Sequence, residues 1–213
     1  MSSNLQRELI NGLEQLNIVA SQQQQDQFLS LLQQLIKWNK AYNLTAIKDP
    51  MKCLTLHLFD SLAVIPFISQ KTILDVGTGA GFPGLPLAIM LPKTQFTLLD
   101  SNSKKIRFIR QQIHELKLSN VEVIHSRVED VKGMQYEGII SRAFASIEDM
   151  VKLTKHLLVS DGLWLAMKGK YLGLETTELR ALVEEVDAHE LRVPRLNGQR
   201  CLVRLQLIEQ TND

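Results

Sequence analysis

The chain has 213 residues, 45% hydrophobic and 22% charged, which suits one main domain with an appendage and a sizeable core. Its net charge of +1 excludes a global pull toward polyanions, so nucleic-acid binding would have to rest on a local patch. Cys53 and Cys201 stand apart without CxxC or Cys/His spacing, which argues against a disulfide framework or a metal site.

The N-terminal stretch MSSNLQRELINGLEQL lacks the apolar core of a signal peptide, and no run approaches the ~20 apolar residues of a membrane span. A soluble, cytoplasmic, monomeric protein is expected. Leu5, Leu9, Leu13 and Leu16 recur at helical spacing. Ser21 offers an N-cap to a long helix with Phe28, Leu31, Leu32, Leu35, Ile36 and Trp38 on its apolar face, and Gln22 to Gln25 as its solvated first turn. Asn43-Leu44-Thr45 breaks that helix. Asp49-Pro50 starts a third, running from about Met51 toward Pro66. Residues 1–68 thus form a helical extension, and residues 69–213 the main domain.

From Lys71 strands and helices alternate. TILDV, QFTLLD, VEVIHS, YEGIISR and GLWLAMKG read as strands; GLPLAIML, SKKIRFIRQQIHELK, IEDMVKLTKHLL and TTELRALVEEV read as helices. That alternation predicts an α/β fold, a parallel sheet with helices on both faces. HELRVPRL and RCLVRLQLI flank Asn197-Gly198, the signature of a two-residue type I′ turn, so an antiparallel edge hairpin closes the sheet.

In such sheets ligands bind beyond the carboxyl ends of the strands, where LDVGTGAGFPG places Gly77, Gly79 and Gly81. The Lys-Ser/Thr pair of a Walker A loop is missing, which excludes a P-loop nucleotide hydrolase. A dinucleotide fingerprint fits in letter from Gly79, but Asp75 just before the glycines suits a cationic sulfonium or ammonium and would repel pyrophosphate. That balance favours S-adenosylmethionine. Asp100 ends the second strand where a carboxylate holds ribose hydroxyls, a role equally open to NAD. Val128 and Glu129, after the third strand, are candidates to read an adenine edge.

Arg142 follows the fourth strand, where many methyl-transfer enzymes carry their chemistry. The Asp/Asn-Pro-Pro-Tyr/Phe segment of amino-group methylation is absent there, and neither cysteine sits where pyrimidine-carbon methylation would need a nucleophile. A ring nitrogen such as guanine N7 has an in-plane lone pair and no proton, so positioning suffices. Arg142 then fixes guanine O6, a phosphate or the methionine carboxylate, or else is a structural ion-pair partner.

Local basic patches are the candidates for RNA contact. Lys37, Asn39, Lys40 and Tyr42, with Trp38 and Asn43, mix cations, amides and aromatics. Lys104, Lys105, Arg107 and Arg110 open the helix after Asp100. Lys168 and Lys170 end the fifth strand, and Arg192, Arg195, Arg200 and Arg204 crowd the terminal hairpin. His57 and His114 are assigned no role.

WNKAYNLTAIKDP, HLFDSL, ILDVGTGAGFPGLPLAI, FTLLDSNSKKIRFIRQ, SRVED, ISRAFAS, MKGK and NGQRCLV occur in this order. Together they resemble the bacterial 16S ribosomal RNA guanine-N7 methyltransferase G family, also called glucose-inhibited division protein B, over nearly the whole chain. The resemblance implies a class I S-adenosylmethionine-dependent methyltransferase fold, Rossmann-like, with an N-terminal helical extension. It implies methylation of N7 of a guanine in the 530 loop of 16S ribosomal RNA. By motif match it places cofactor contacts on Gly77, Phe82, Val128, Glu129 and Arg142, with Gly79, Gly81 and Asp100 in the same pocket. Phe82 stands where the family often has leucine and Ala80 where proline is frequent, small changes in loop packing. The competing readings are an NAD-dependent oxidoreductase, for which no hydride-transfer acid/base pair is evident, and a non-catalytic ribosome- or RNA-binding module.

Overall fold

A computed structural model describes residues 2–142, 144, 146–174 and 176–208. Ala143 and Ala145 of the ISRAFAS segment therefore lie outside the described residues.

Helix α1 (Ser2–Gln15) buries Leu5, Leu9 and Leu13, and α2 (Gln22–Tyr42) buries Phe28, Leu31, Leu32 and Leu35. Ser21 caps α2 with a full capping box closed by Gln24, and Asn43 ends it in the left-handed conformation at φ 50°. In the glutamine run at its start Gln22 and Gln23 are exposed as expected, while Gln24 and Gln25, and Gln27 beyond the run, are half-buried. Gln24 Nε2 donates to Ile89 O at 2.9 Å, and Gln27 Nε2 to Leu116 O at 2.7 Å.

The third helix departs from the expected regular one. It begins as α3 (Pro50–Cys53), capped by Asp49 with Pro50 in the first turn, widens into a π-helical turn over Leu54–Phe59, and resumes as α4 (Asp60–Leu62). The Asp60 N–H reaches back to Thr55 O, the wide-turn spacing. Helix α1 approaches this turn closely: a Cβ on Gly12 would stand 2.0 Å from Phe59 Cζ. Only glycine fits there.

Seven strands form one sheet in the order β3-β2-β1-β4-β5-β7-β6. They are β1 (Thr72–Val76), β2 (Gln95–Asp100), β3 (Val121–His125), β4 (Tyr136–Ser141), β5 (Leu158–Lys168), β6 (Val183–Glu190) and β7 (Cys201–Leu207). The first five are parallel and β7 is antiparallel to both its neighbours. Helices α5 (Gly84–Met90), α6 (Ser103–Leu116), α7 (Ile147–Thr154) and α8 (Thr177–Leu182) complete the fold. One buried cluster joins Leu9, Phe28 and Leu58 of the N-terminal helices to Ile73, Leu85, Phe96 and Phe108. A second, with Trp164, Ile139, Val151 and Leu179, fills the opposite side of the sheet.

Two expectations at the C-terminal edge are corrected. The segment VEEVDAHE, expected partly as helix, is strand β6, because pairing with β7 outweighs the helical preference of its glutamates. Its exposed charges suit an edge strand. The hairpin is also not closed by a two-residue turn at Asn197-Gly198. Glu190 pairs with Cys201, so residues 191–200 form the connection. Pro194 has no N–H for a ladder, and the chain turns at Arg195 (φ 65°), where Leu196 N donates to Val193 O at 3.1 Å.

Candidate functional site

The carboxyl ends of β1, β4 and β5 open onto a cleft of about 510 Å³, walled on one side by Gly77, Gly79 and Phe82 and on the other by Arg142, Lys168 and Arg200. A neighbouring cavity of about 360 Å³ shares Gly77 and is lined by Asp100, Val128 and Glu129. The two together bring Gly77, Gly79, Phe82, Asp100, Val128, Glu129 and Arg142 to one continuous edge of the sheet.

Asp75 is not among them. It is fully buried (0% exposed), its Oδ2 accepting from Thr78 Oγ1 at 2.6 Å and from Gly84 N at 2.8 Å. Burial raises its pKa to about 6, against the hydrogen bonds from Thr78 and Gly84. The carboxylate braces the glycine loop from beneath and lines neither cavity. A Cβ on Gly84 would lie 2.8 Å from that carboxylate and 2.0 Å from Leu98 Cδ2, so glycine is required where the helix meets the strand. Gly81 likewise faces inward, against Leu85 and Ile109.

The loop still discriminates between ligands, by another route. Gly77 and Thr78 donate their N–H groups to Leu99 O, Gly79 to Asp100 Oδ2, Gly81 and Phe82 to Thr78 O, and Gly84 to Asp75. Donors satisfied in this way offer no nest for a pyrophosphate. A Cβ placed on Gly79 (φ 64°) would meet nothing closer than Lys105 Nζ at 3.9 Å, so the backbone presents an open cradle there.

Asp100 has both oxygens in use, Oδ2 from Gly79 N at 2.9 Å and Oδ1 from Asn102 N at 2.8 Å, with Lys105 Nζ at 3.8 Å. It lines the smaller cavity, and a carboxylate has lone pairs left for ribose hydroxyls. Arg142 is held from three sides. Its Nη1 donates to Asp60 Oδ2 at 2.8 Å and to Leu56 O at 2.9 Å, and its Nη2 to Phe82 O at 3.4 Å. The ion-pair arrangement and the place on the cleft wall are thus both realised.

Asp60 and His57 are the site residues that sequence reasoning missed. Asp60 is 3% exposed and takes Arg142 on one oxygen and Arg200 Nε on the other, at 3.0 Å. His57 stacks on Phe82 with ring centroids 4.9 Å apart and shares a 3.0 Å hydrogen bond between Nε2 and Thr45 Oγ1. Burial, then Arg142, lowers its pKa to about 4, so it is neutral at pH 7. One signal was available: an aspartate inside the apolar run LTLHLFDSLAV must have a partner if the helix is buried.

The chain matches the model of the family described as rRNA small subunit methyltransferase G over residues 24–203. Curated relatives named Ribosomal RNA small subunit methyltransferase G include one from Ectopseudomonas mendocina, 52% identical over 93% of this chain and 94% of its own length. Another, from Stutzerimonas stutzeri, is 49% identical over 97% of each chain. The chain belongs to the rRNA small subunit methyltransferase G family.

Solved structures share the fold of this methyltransferase G family member at low identity. A SAM dependent methyltransferase from Aquifex aeolicus aligns with TM-score 0.57 at 18% identity, over 78% of this chain and 97% of that one. TehB from Haemophilus influenzae gives 0.53 at 17%, over 82% and 67%.

Of the RNA-contact candidates, several are engaged within the protein. Asn39 is 5% exposed and braces residues 43–47, donating to Ile47 O and accepting from Thr45 N, so the structure does not present it to RNA. Trp38 packs between Tyr42 and Phe108. Lys105 turns to Asp100, Arg195 pairs with Glu8, and Arg204 pairs with Asp187. Lys37, Lys40, Lys104, Arg107, Arg110, Lys170 and Arg192 are exposed, and Tyr42 is 36% exposed. Lys168 and Arg200 stand at the cleft, where Lys168 Nζ donates to Phe144 O at 3.0 Å. Among the described residues of this methyltransferase G chain, the cations lining the cleft are therefore Arg142, Lys168 and Arg200. No described helix is long and apolar enough to cross a membrane.

Proposed function

We propose that this chain transfers a methyl group from S-adenosylmethionine to N7 of a guanine in the 530 loop of 16S ribosomal RNA. The observation that carries this reading is the cleft itself, where the open backbone at Gly79 faces a wall of Arg142, Lys168 and Arg200. Family membership gives the methyltransferase activity and the ribosomal RNA of the small subunit as its substrate.

S-adenosylmethionine, when bound, supplies an electrophilic methyl group on a sulfonium. Gly77, Gly79 and Phe82 would hold it by backbone and ring contact, Asp100 by the ribose hydroxyls, and Val128 and Glu129 beside the adenine. Arg142 would meet its carboxylate end. On the acceptor side, the Asp60 carboxylate is committed to two guanidiniums, and His57, its pKa lowered to about 4 by burial and then by Arg142, is a weak proton acceptor. An acceptor that carries a lone pair and no proton suits this arrangement, and guanine N7 is one. The protein's task is alignment and exclusion of water. The free thiols of Cys53 and Cys201 support a reducing, cytoplasmic setting, and we take the active form to be a monomer.

The decisive experiment incubates the chain with labelled S-adenosylmethionine and 16S RNA from a strain lacking this modification. 7-Methylguanine in the 530 loop is expected. Label on an exocyclic amine, or on another base, would overturn the assignment.

A further inference from the structure

Asp60 is an unusual carboxylate for this cleft. It is nearly fully buried, and its oxygens are divided between cations delivered by distant parts of the chain. Arg142 comes from the end of β4, beside Phe82 and the glycine loop. Arg200 comes from the last residue of the 191–200 connection, just before β7. Arg200 also donates Nη1 to Gln199 O at 2.9 Å, and it lines both the cleft and a further cavity with Lys170 and His189. The two arginines therefore differ in their surroundings. Arg142 is tied on its other donors to Leu56 O and Phe82 O, at the cofactor end. Arg200 is tied to the protein through Nε and Nη1 and stands where the cleft leads outward.

We propose that Asp60 is a positioning residue for methyl transfer, fixing Arg200 as the cation that meets the RNA relative to Arg142 at the cofactor end. This rests on the function proposed above. Two guanidiniums sharing one carboxylate keep a net positive charge, and each has its torsions restricted, so little ordering remains for the moment when a phosphodiester arrives. The π-helical turn over Leu54–Phe59 sets the register of Asp60 directly after it. A wide turn in a helix often marks such a functional position. Neither arginine alone would define the distance between cofactor and acceptor. Their common partner does.

The test uses the full chain with Asp60→Asn, which keeps the side-chain shape and one carbonyl oxygen. kcat/KM for 16S RNA is expected to fall about 10²-fold, as for a misplaced reacting group. S-adenosylmethionine affinity by calorimetry should change less than about threefold, and the melting temperature by only a few degrees. In an Arg200→Gln background the same substitution should cost far less, because its effect runs through Arg200. Full additivity of the two changes would overturn the proposal, as would an Asn variant as active as the wild type. So would an equal loss in cofactor affinity and turnover, which would place the effect at Arg142 alone. If the wild-type chain itself binds cofactor but leaves ribosomal RNA unmethylated, the function is overturned and the acceptor role with it.

Discussion

Asp75 and Asp60 are both buried carboxylates within reach of the same cleft, and they do opposite things. Asp75 lies under the glycine loop among neutral donors, Thr78 Oγ1 and Gly84 N, with its Oδ1 unpartnered. It stabilises a backbone shape. Asp60 lies under the far wall between two guanidiniums, and it arranges charge. Burial alone thus says little about a carboxylate's job. The charge of its partners decides whether it shapes the loop or aims the cations, and substitutions at each should separate the two roles.

The largest effect is expected at Arg142. Arg142→Ala should lower methyl transfer by about 10²–10³-fold, the usual cost of removing an electrostatic donor at a reaction centre. Asp60 keeps Arg200 as a partner, so circular dichroism should show the fold intact. A variant that fails to fold would assign Arg142 a structural role alone.

Next is the loop brace. Asp75→Ala leaves the Thr78 hydroxyl and the Gly84 N–H unsatisfied and should destabilise the protein by about 2–4 kcal/mol in urea titration. Asp75→Asn should be mild, and it carries a pH signature. The folded-state pKa near 6 lies above the ordinary value of 3.8, so the folded protein prefers the protonated form. That stability is fully present below about pH 4 and is lost as pH rises through 6. The total is on the order of 2–3 kcal/mol. His57, lowered to about 4, acts in the opposite sense, losing stability as pH falls from 6.5. Subtracting the Asn variant's curve from that of the wild type isolates the Asp75 contribution. A flat difference between pH 4 and 7 would show the carboxylate to be ionised throughout.

Asp100→Ala should weaken S-adenosylmethionine binding by about tenfold, from the ribose contacts and the Gly79 anchor together. Calorimetry reads this directly. Smallest of all is Lys37→Ala, which should lower the salt slope of RNA binding by about 0.7, one phosphate's worth, with an unchanged melting temperature. Asn39→Ala should do the reverse, costing about 1–2 kcal/mol of stability without touching the slope.

The strand and helix succession from Thr72 to Lys168 was legible because the apolar runs are short, bounded by turns and alternate with helical patterns. Leu5, Leu9 and Leu13 likewise gave α1 its buried face. VEEVDAHE was not legible. Its residues favour helix locally, and only β7, distant in sequence, makes it a strand. Gly79 and Asp100 could be placed from their positions at strand ends. Asp75 could be placed too, but its side chain points into the sheet-helix packing, which spacing does not reveal. Asp60 was hidden for a third reason. Its partners lie 82 and 140 residues away in sequence, and no local pattern carries such a pairing.

The sheet order has a consequence for how the molecule is made. β7 is the last strand to leave the ribosome, yet it lies inside the sheet, between β5 and β6. Until it emerges, the nascent chain holds β5 with a bare, apolar edge that includes Trp164 and Leu165, and β6 has no strand to join. Arg200 arrives in the same final stretch. A chain cut short just before residue 200 would therefore lose a cation of the cleft and its capacity to close the sheet together, so premature termination should leave aggregated protein rather than a partly active enzyme.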